Sequence, residues 1–255
     1  MGVSFGDVQA ARQRIREFIY CSPAPHSAAL SQMTGQQVFL KLDNLQRTGA
    51  FKERGALNKI LTLTDDEKRR GVIAASAGNH AQAVAFHATQ RGIKARIVMP
   101  LMTPLVKVSS TEGFGAEVVL HGANYDEACA EALQQGEADG MTFLHPFDDP
   151  DVIAGQGTIG LELLEQVPNL EAVVVPIGGG GLISGVACAI KESNPRIRVV
   201  GVQTDRLPSM LRAREAGGPV TVPAEATIAD GIEGDRKSTR LNSSHCVTSR
   251  MPSSA

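Results

Sequence analysis

The sequence predicts an α/β protein with mostly parallel sheets that are covered by helices on both faces. Short runs of β-branched and apolar residues alternate with segments whose apolar residues recur at helical spacing. Residues 172–175 are apolar at every position, which is typical of a parallel strand buried on both faces. No fixed-period repeat and no low-complexity linker interrupts residues 1–234, so any second domain is expected to be an insertion.

The elements follow in order along the chain. The β-branched runs predict strands at residues 38–41, 72–74, 95–98, 117–120, 141–144, 172–175 and 198–203. Helical periodicity predicts helices at residues 8–19, 51–61, 80–90, 104–114, 125–135, 156–166, 182–191 and 208–216. The acidic, Pro-marked stretch 146–151 is the candidate crossing point between domains. Its three aspartates favour a solvated loop with helix N-capping over a metal site.

Composition excludes several classes of protein. The 255 residues carry 25 Lys and Arg against 27 Asp and Glu, so there is no basic excess to neutralise the phosphates of a nucleic acid. No apolar run reaches the roughly 18 residues of a membrane-spanning helix, and the first residues lack the pattern of a signal peptide. The four cysteines have no CxxC spacing and predict reduced thiols in a cytoplasmic protein.

The last 21 residues differ from the rest of the chain. Residues 235–255 are rich in Ser and basic residues and show no apolar periodicity, which is typical of a disordered tail. Residues 235–245 also back-translate to the sequence of a common short-read sequencing adapter. We therefore expect a non-native tail, with the natural sequence interrupted near Gly234.

A glycine turn follows the strand predicted at 172–175. Gly178, Gly179, Gly180 and Gly181 precede a helix that opens at Leu182. Side-chain-free residues let backbone N–H groups close on an anion, and the helix N-terminus adds the positive end of its dipole. The alternatives are a flexible turn and a dinucleotide site. The second is disfavoured because the next strand ends in Gln203 rather than in the acidic residue that would hold a ribose.

Two further segments could carry chemistry. Lys52 lies beside apolar residues near a helix start, where burial and the helix dipole both lower an amine's pKa and allow Schiff-base chemistry; most helical lysines simply face water. The turn Ser76-Ala77-Gly78-Asn79-His80 leads from a strand into a helix and suits a carboxylate. The alternatives are a plain N-cap and, for His80, a packed or capping histidine.

Together these segments provide a phosphate cradle, a lysine and a carboxylate turn, the parts that hold pyridoxal phosphate and an amino acid. Over residues 5–234 the sequence resembles the fold-type II (tryptophan synthase β-like) pyridoxal-phosphate enzymes, in their threonine dehydratase and serine racemase branch. The resemblance rests on four blocks, namely residues 48–55, 76–82, 147–158 and 178–181.

The resemblance implies roles for individual residues. Lys52 would be the Schiff-base lysine and the base that removes the α-proton. Phe51 would lie against the cofactor and Asn79 would hydrogen-bond its ring hydroxyl. The phosphate would be bound by N–H groups of Gly178, Gly179, Gly180, Gly181 and Leu182. The substrate carboxylate would face Ser76, Asn79 and His80.

The implied reaction is α,β-elimination of L-threonine to 2-oxobutanoate and ammonia, with L-serine as second substrate. Racemases of this branch place a second Ser where this chain has Ala77, which cannot transfer a proton to the opposite face. They also bind a divalent cation through an acidic residue where this chain has Gln203, so no metal is predicted. The Ser or Thr that contacts the pyridine nitrogen lies near the family's C-terminus and is absent here.

Several alternatives stay open at this point. They are a serine racemase or serine-specific dehydratase, a nicotinamide-dependent dehydrogenase built on the glycine turn, and an inactive truncated fragment. The resemblance implies two open, twisted, mostly parallel sheets in two domains: a large cofactor domain from residues 1–64 and 149–234, and a small inserted domain from residues 65–148. Family members are homo-oligomers, and a small-molecule amino acid is the expected partner.

Overall fold

The computed structural model describes residues 2–218, 220–223 and 227–232, and the expected foreign tail lies outside them. Within these ranges no helix is both long and apolar enough to cross a membrane. The helices are α1 Phe5–Ile15, α2 Ala28–Thr34, α3 Lys52–Thr62, α4 Asp65–Arg70, α5 Asn79–Thr89, α6 Leu105–Gly113, α7 Tyr125–Asp139, α8 Pro150–Gln166, α9 Gly181–Ser193 and α10 Ser209–Ala216. Single 3-10 turns lie at Asp43–Leu45 and Asp230–Ile232.

The larger sheet is parallel throughout and has the strand order β3-β2-β1-β4. Its strands are β1 Val72–Ala75, β2 Ala95–Met99, β3 Glu117–Leu120 and β4 Thr142–Phe143. Alternate residues of β1 pack into different hydrophobic cores on the two faces of the sheet: Val72 and Ala74 pack with α5, while Ile73 and Ala75 pack with α7. Helices therefore cover both faces of this sheet, as the apolar strand sequences predict.

The smaller sheet pairs β5 Ala172–Pro176 with β6 Arg198–Val202, also in parallel. Val173 and Val175 pack with the apolar side of α9. On the other face, Val174 is 62% exposed and Val202 is 41% exposed. An α/β fold with two parallel sheets is confirmed, whereas the division at residues 64 and 149 stays a prediction.

Some element bounds differ from the sequence predictions for local reasons. The helix predicted at 156–166 begins at Pro150, because Asp149 accepts hydrogen bonds from the N–H groups of Asp151 and Val152. The strand predicted at 38–41 was wrong: only a single antiparallel bridge joins Phe39 to His26. Prolines at positions 23 and 25 have no N–H to donate, so a full ladder cannot form there. Helices α2 and α4 were not predicted.

Helix α3 lies against α8 at a close crossing of glycines. A Cβ on Gly55 would come within 2.7 Å of the Val152 carbonyl oxygen, and one on Gly155 within 2.6 Å of the Arg54 carbonyl oxygen. Only residues without a side chain permit this approach. The close crossing therefore fixes the position of the first turn of α3, which contains Lys52, relative to the long buried helix α8.

Candidate active site

Lys52 is the first residue of α3 and is partly buried. Its Nζ donates a hydrogen bond to the carbonyl oxygen of Pro146 across 2.6 Å and lies 5.4 Å from the centroid of the Phe51 ring. Loss of hydration lowers the pKa of the Lys52 amine from its ordinary value of 10.5 to about 8. A substantial fraction of this amine is therefore neutral near physiological pH, as a base or a nucleophile requires.

The residues that follow Lys52 are anchored by buried charges. The Arg54 guanidinium is fully buried and pairs with Asp43 at 2.8 Å and with Glu162 of α8 at 2.6 Å. Glu162 also accepts a bond from the Lys41 amine. Two cations and two carboxylates thus neutralise one another, as buried charges require. The cluster fixes α3 to α8 and was not predicted from the sequence.

The expected carboxylate turn connects β1 to α5. The N–H of Gly78 donates to the Ser76 hydroxyl oxygen at 3.2 Å, which shapes the turn, and Asn79 is exposed at the first position of α5. Among the described residues, no side chain caps this helix, whereas side chains cap α1, α2, α4, α7 and α8. The first N–H groups of α5 are therefore available to an anion.

His80 points into the interior rather than toward an open turn. Its Nε2 donates to the Leu144 carbonyl oxygen at 3.0 Å, and its buried Nδ1 has no partner in the described structure. Burial, assisted by the charge of Lys52, lowers the pKa of His80 to about 3, so the ring is neutral. The expected contact with a substrate carboxylate is therefore open to the backbone N–H of His80, but not to its imidazole side chain.

The glycine turn follows β5 and leads into α9. Gly180 is the N-cap with φ of +88°, a conformation that favours glycine, and no side chain in the described part of the chain caps the helix. The N–H groups of Gly181, Leu182 and Ile183 thus open toward whatever occupies the end of the helix. A Cβ on Gly179 would overlap the ring of Phe147, and one on Gly181 would lie 3.0 Å from the Phe147 Cα atom.

The segment 144–147 joins the three predicted motifs. Its Leu144 carbonyl oxygen accepts from His80, its Pro146 carbonyl oxygen accepts from Lys52, and its Phe147 packs on the glycine turn. The structure therefore brings the amine and the two uncapped helix N-termini to one place. Sequence reasoning missed this segment as part of the site. The available signal was its position directly after β4, at the carboxyl edge of a parallel sheet.

The Gln203 side chain caps a helix in this chain. Its Oε1 accepts hydrogen bonds from the N–H groups of Met210 and Leu211 at 3.2 and 3.3 Å, so the amide caps the start of α10. Among the described residues, no group of three or more His, Cys, Asp or Glu side chains could hold a metal ion.

Fold and site together define a class of protein. A family model described as pyridoxal-phosphate dependent enzyme matches residues 15–251, and the chain belongs to this family.

Three individual proteins show what the chain is similar to. L-threonine ammonia-lyase of Thermotoga maritima is 50% identical over 230 residues, which are 90% of this chain and 57% of the relative. The catabolic L-threonine dehydratase of Escherichia coli K12 is 47% identical over 92% of this chain and 71% of its own length. The structure of maize serine racemase superposes with a TM-score of 0.88 at 38% identity, covering 92% of this chain and 71% of that one. The chain therefore spans less than three fifths of the first of these relatives.

The described residues fit pyridoxal phosphate. The partly buried Lys52 amine, with its lowered pKa, can form a Schiff base with a carbonyl group. The uncapped N-terminus of α9, with glycines at its opening, suits the phosphate. The buried Nδ1 of His80, which lies close enough to Lys52 to feel its charge, is an acceptor that has no partner among the described residues. Lys52, Phe51 and Asn79 would hold the ring, and Gly178 to Leu182 would hold the phosphate.

Proposed function

We propose that the protein catalyses the α,β-elimination of L-threonine to 2-oxobutanoate and ammonia, with L-serine as a second substrate. One observation carries the proposal: the Lys52 amine, with its pKa lowered to about 8, lies beside two uncapped helix N-termini that can hold two anionic groups. The relatives named for threonine ammonia-lyase and dehydratase activity support the same substrate.

Lys52 would act on the substrate as a base. When bound, pyridoxal phosphate supplies an electron sink for the charge that develops at the substrate's Cα. The neutral Lys52 amine takes the α-proton, and the Pro146 carbonyl oxygen holds that amine in place by the 2.6 Å hydrogen bond. Partial burial of Lys52 limits competition from water for the same proton.

Helix N-termini would bind the two charged ends of the ligands. The N–H groups at the start of α9 bind the phosphate, and those at the start of α5 bind the substrate carboxylate. Asn79 is exposed at the start of α5 and can reach a ring hydroxyl. His80 holds the turn against residue 144 through its side chain and contributes its backbone N–H to the carboxylate.

Ala77 favours elimination over racemisation. Its side chain packs against the core between the larger sheet and α5 and carries no proton donor. A racemase needs an acid or base on each face of the substrate, and Ala77 cannot supply the one opposite Lys52. Serine racemisation is the second candidate because of the structural likeness to the maize enzyme.

The test incubates the cofactor-loaded 255-residue chain with L-threonine and with L-serine. We expect 2-oxobutanoate from threonine, pyruvate from serine, ammonia from both, and no D-serine by chiral chromatography. Lys52→Ala should lower turnover by about 10²-fold or more, while Lys59→Ala serves as the lysine control on the same helix. Formation of D-serine without oxo acid would identify a racemase instead. A cytoplasmic, homo-oligomeric protein is part of the same proposal.

A further inference from the structure

Glu53, the residue directly after Lys52, forms a buried hydrogen bond with His87 of α5. The His87 Nε2 lies 3.2 Å from the Glu53 Oε2, and both residues are at most 2% exposed. The other carboxylate oxygen of Glu53 accepts the backbone N–H of Thr48. Glu53 thus joins three parts of the chain: the loop before Lys52, the helix that Lys52 opens, and the third turn of α5.

His87 and His80 lie seven residues apart and therefore share one face of α5. His80 binds the Leu144 carbonyl oxygen at the first turn, two residues before the carbonyl that accepts from Lys52. His87 binds the neighbour of Lys52 two turns later. Helix α5 is therefore held near Lys52 at both ends. At its start, His80 binds a carbonyl oxygen two residues before the one that Lys52 binds, and near its end, His87 binds Glu53, which follows Lys52 in the chain.

The charges around this contact favour a neutral imidazole and an ionised carboxylate. Burial lowers the pKa of His87, and the nearby cations Arg91 and Arg47 lower it further against the opposing effect of Glu53. Arg91 also donates to the His87 carbonyl oxygen at 3.0 Å. The pKa of Glu53 lies below its usual range: burial acts to raise it, but the bonds from His87 and Thr48 outweigh that effect. A single N–H···O⁻ bond therefore carries the contact.

We propose that Glu53 and His87 are a positioning pair that aligns the N-terminus of α5 with the Lys52 amine, and so sets where an amino acid's carboxylate is held. The proposal rests on the proposed function, because it needs α5 to receive that carboxylate. Neither residue touches the reacting atoms. Their effect should appear in amino-acid affinity while attachment of the cofactor, which depends on Lys52 and α9, is retained.

The experiment measures equilibrium binding of L-alanine to the cofactor-loaded chain by the change in cofactor absorbance. Alanine has no leaving group, so its binding is independent of elimination. We expect His87→Phe to weaken alanine binding about tenfold, the loss expected from one charge-assisted hydrogen bond. His87→Gln, whose amide can still donate to Glu53, should restore most of the affinity. Pyridoxal phosphate affinity should stay within about twofold in both variants, because losing one such hydrogen bond to the cofactor would lower that affinity about tenfold.

Two further variants keep the result interpretable. His121→Phe is the matched control, because His121 pairs with Glu131 at 3.6 Å on the exposed surface. Glu53→Gln keeps an oxygen for the Thr48 N–H but removes the charge of the acceptor, which gives a second way to weaken the contact if His87→Phe does not fold. A smaller alanine defect in the same direction is expected. Equal alanine affinity in the unaltered chain and these variants would overturn the positioning role, as would a parallel loss of cofactor. Alanine binding with no turnover of threonine would overturn only the proposed reaction, and no alanine binding by the unaltered chain would overturn both.

Discussion

Lys52 and Pro146 are 94 positions apart in the chain, yet the Lys52 amine donates to the Pro146 carbonyl oxygen across 2.6 Å. The contact joins the start of α3 to the segment after β4, whose next residue packs on the glycine turn. A partly buried amine and the N-termini of α5 and α9 thus meet although they lie in distant parts of the sequence.

Lys52 should react with amine reagents at unusually low pH. Because desolvation lowers its pKa to about 8, the neutral amine should be half-formed near pH 8, while a lysine with the ordinary value of 10.5 is still almost fully protonated. Pulsed acetylation across pH 6–11 with mass spectrometry of the peptide containing Lys52 measures this. A labelling midpoint above pH 10 would show that the amine is hydrated.

The free energy of unfolding should fall as the pH is lowered below 6.5. In this range the folded protein keeps His80 neutral, whereas His80 of the unfolded chain takes up a proton. Burial holds the pKa of His80 at about 3 in the folded state, against an ordinary value of 6.5. The unfolded chain therefore binds a proton that the folded chain does not, and stability that is complete above pH 6.5 is lost as the pH falls. The loss should reach on the order of 2 kcal/mol by pH 4.5.

Urea unfolding at several pH values measures this loss of stability. His80→Gln is the reference, since glutamine can donate to the Leu144 carbonyl oxygen without titrating. If both proteins lose stability equally between pH 6.5 and 4.5, another group is responsible.

Gly179→Ala should impair cofactor binding. The added Cβ would overlap the ring of Phe147 and force the glycine turn or the ring to move. Overpacking of this kind costs about 1–3 kcal/mol, which corresponds to a loss of pyridoxal phosphate affinity of about 5-fold to 150-fold in a titration. Adding Phe147→Ala should recover part of the loss. Gly218→Ala, at a position where a Cβ meets no other atom within 4 Å, is the control and should bind normally.

Arg54→Met should destabilise the protein strongly. It leaves Asp43 and Glu162 buried without their shared cation, and breaking a buried ion pair costs about 3–5 kcal/mol. Arg12→Met is the matched control, because the Arg12–Glu165 pair is exposed and should be worth about 1 kcal/mol or less. Urea unfolding compares the two variants. Similar losses in both would mean that the buried cluster tolerates the missing charge.

The sequence could predict features that depend on neighbouring residues. The glycine turn and the start of α3 follow from residue types within a few positions. The turn lies where predicted, and α3 begins at Lys52, one residue after its predicted start. Strands such as Glu117–Leu120 were predicted with the observed bounds because apolar, β-branched runs are local signals too. The pyridoxal-phosphate family was also identified correctly from these short blocks.

Features that depend on distant residues could not be predicted. The Arg54 cluster draws on positions 41, 43, 54 and 162, and no local pattern distinguishes these charges from solvated ones. The inward direction of His80 follows from the register of β4 beside β1, which sets the Leu144 carbonyl oxygen next to α5. The failure of residues 38–41 to form more than a single bridge depends on two prolines more than ten residues away.

The crossing of α3 and α8 at Gly55 and Gly155 has a consequence for changing which amino acids the chain would bind under the proposed function. The position of α3, which begins at Lys52, is fixed by close backbone contacts with α8 and by the buried pair of Arg54 with Glu162. Substitutions in the turn before α5 can therefore reshape the space around a bound amino acid while the Lys52 amine keeps its bond to the Pro146 carbonyl oxygen. Variant libraries should diversify that turn and leave residues 144–147 and the glycine crossing intact.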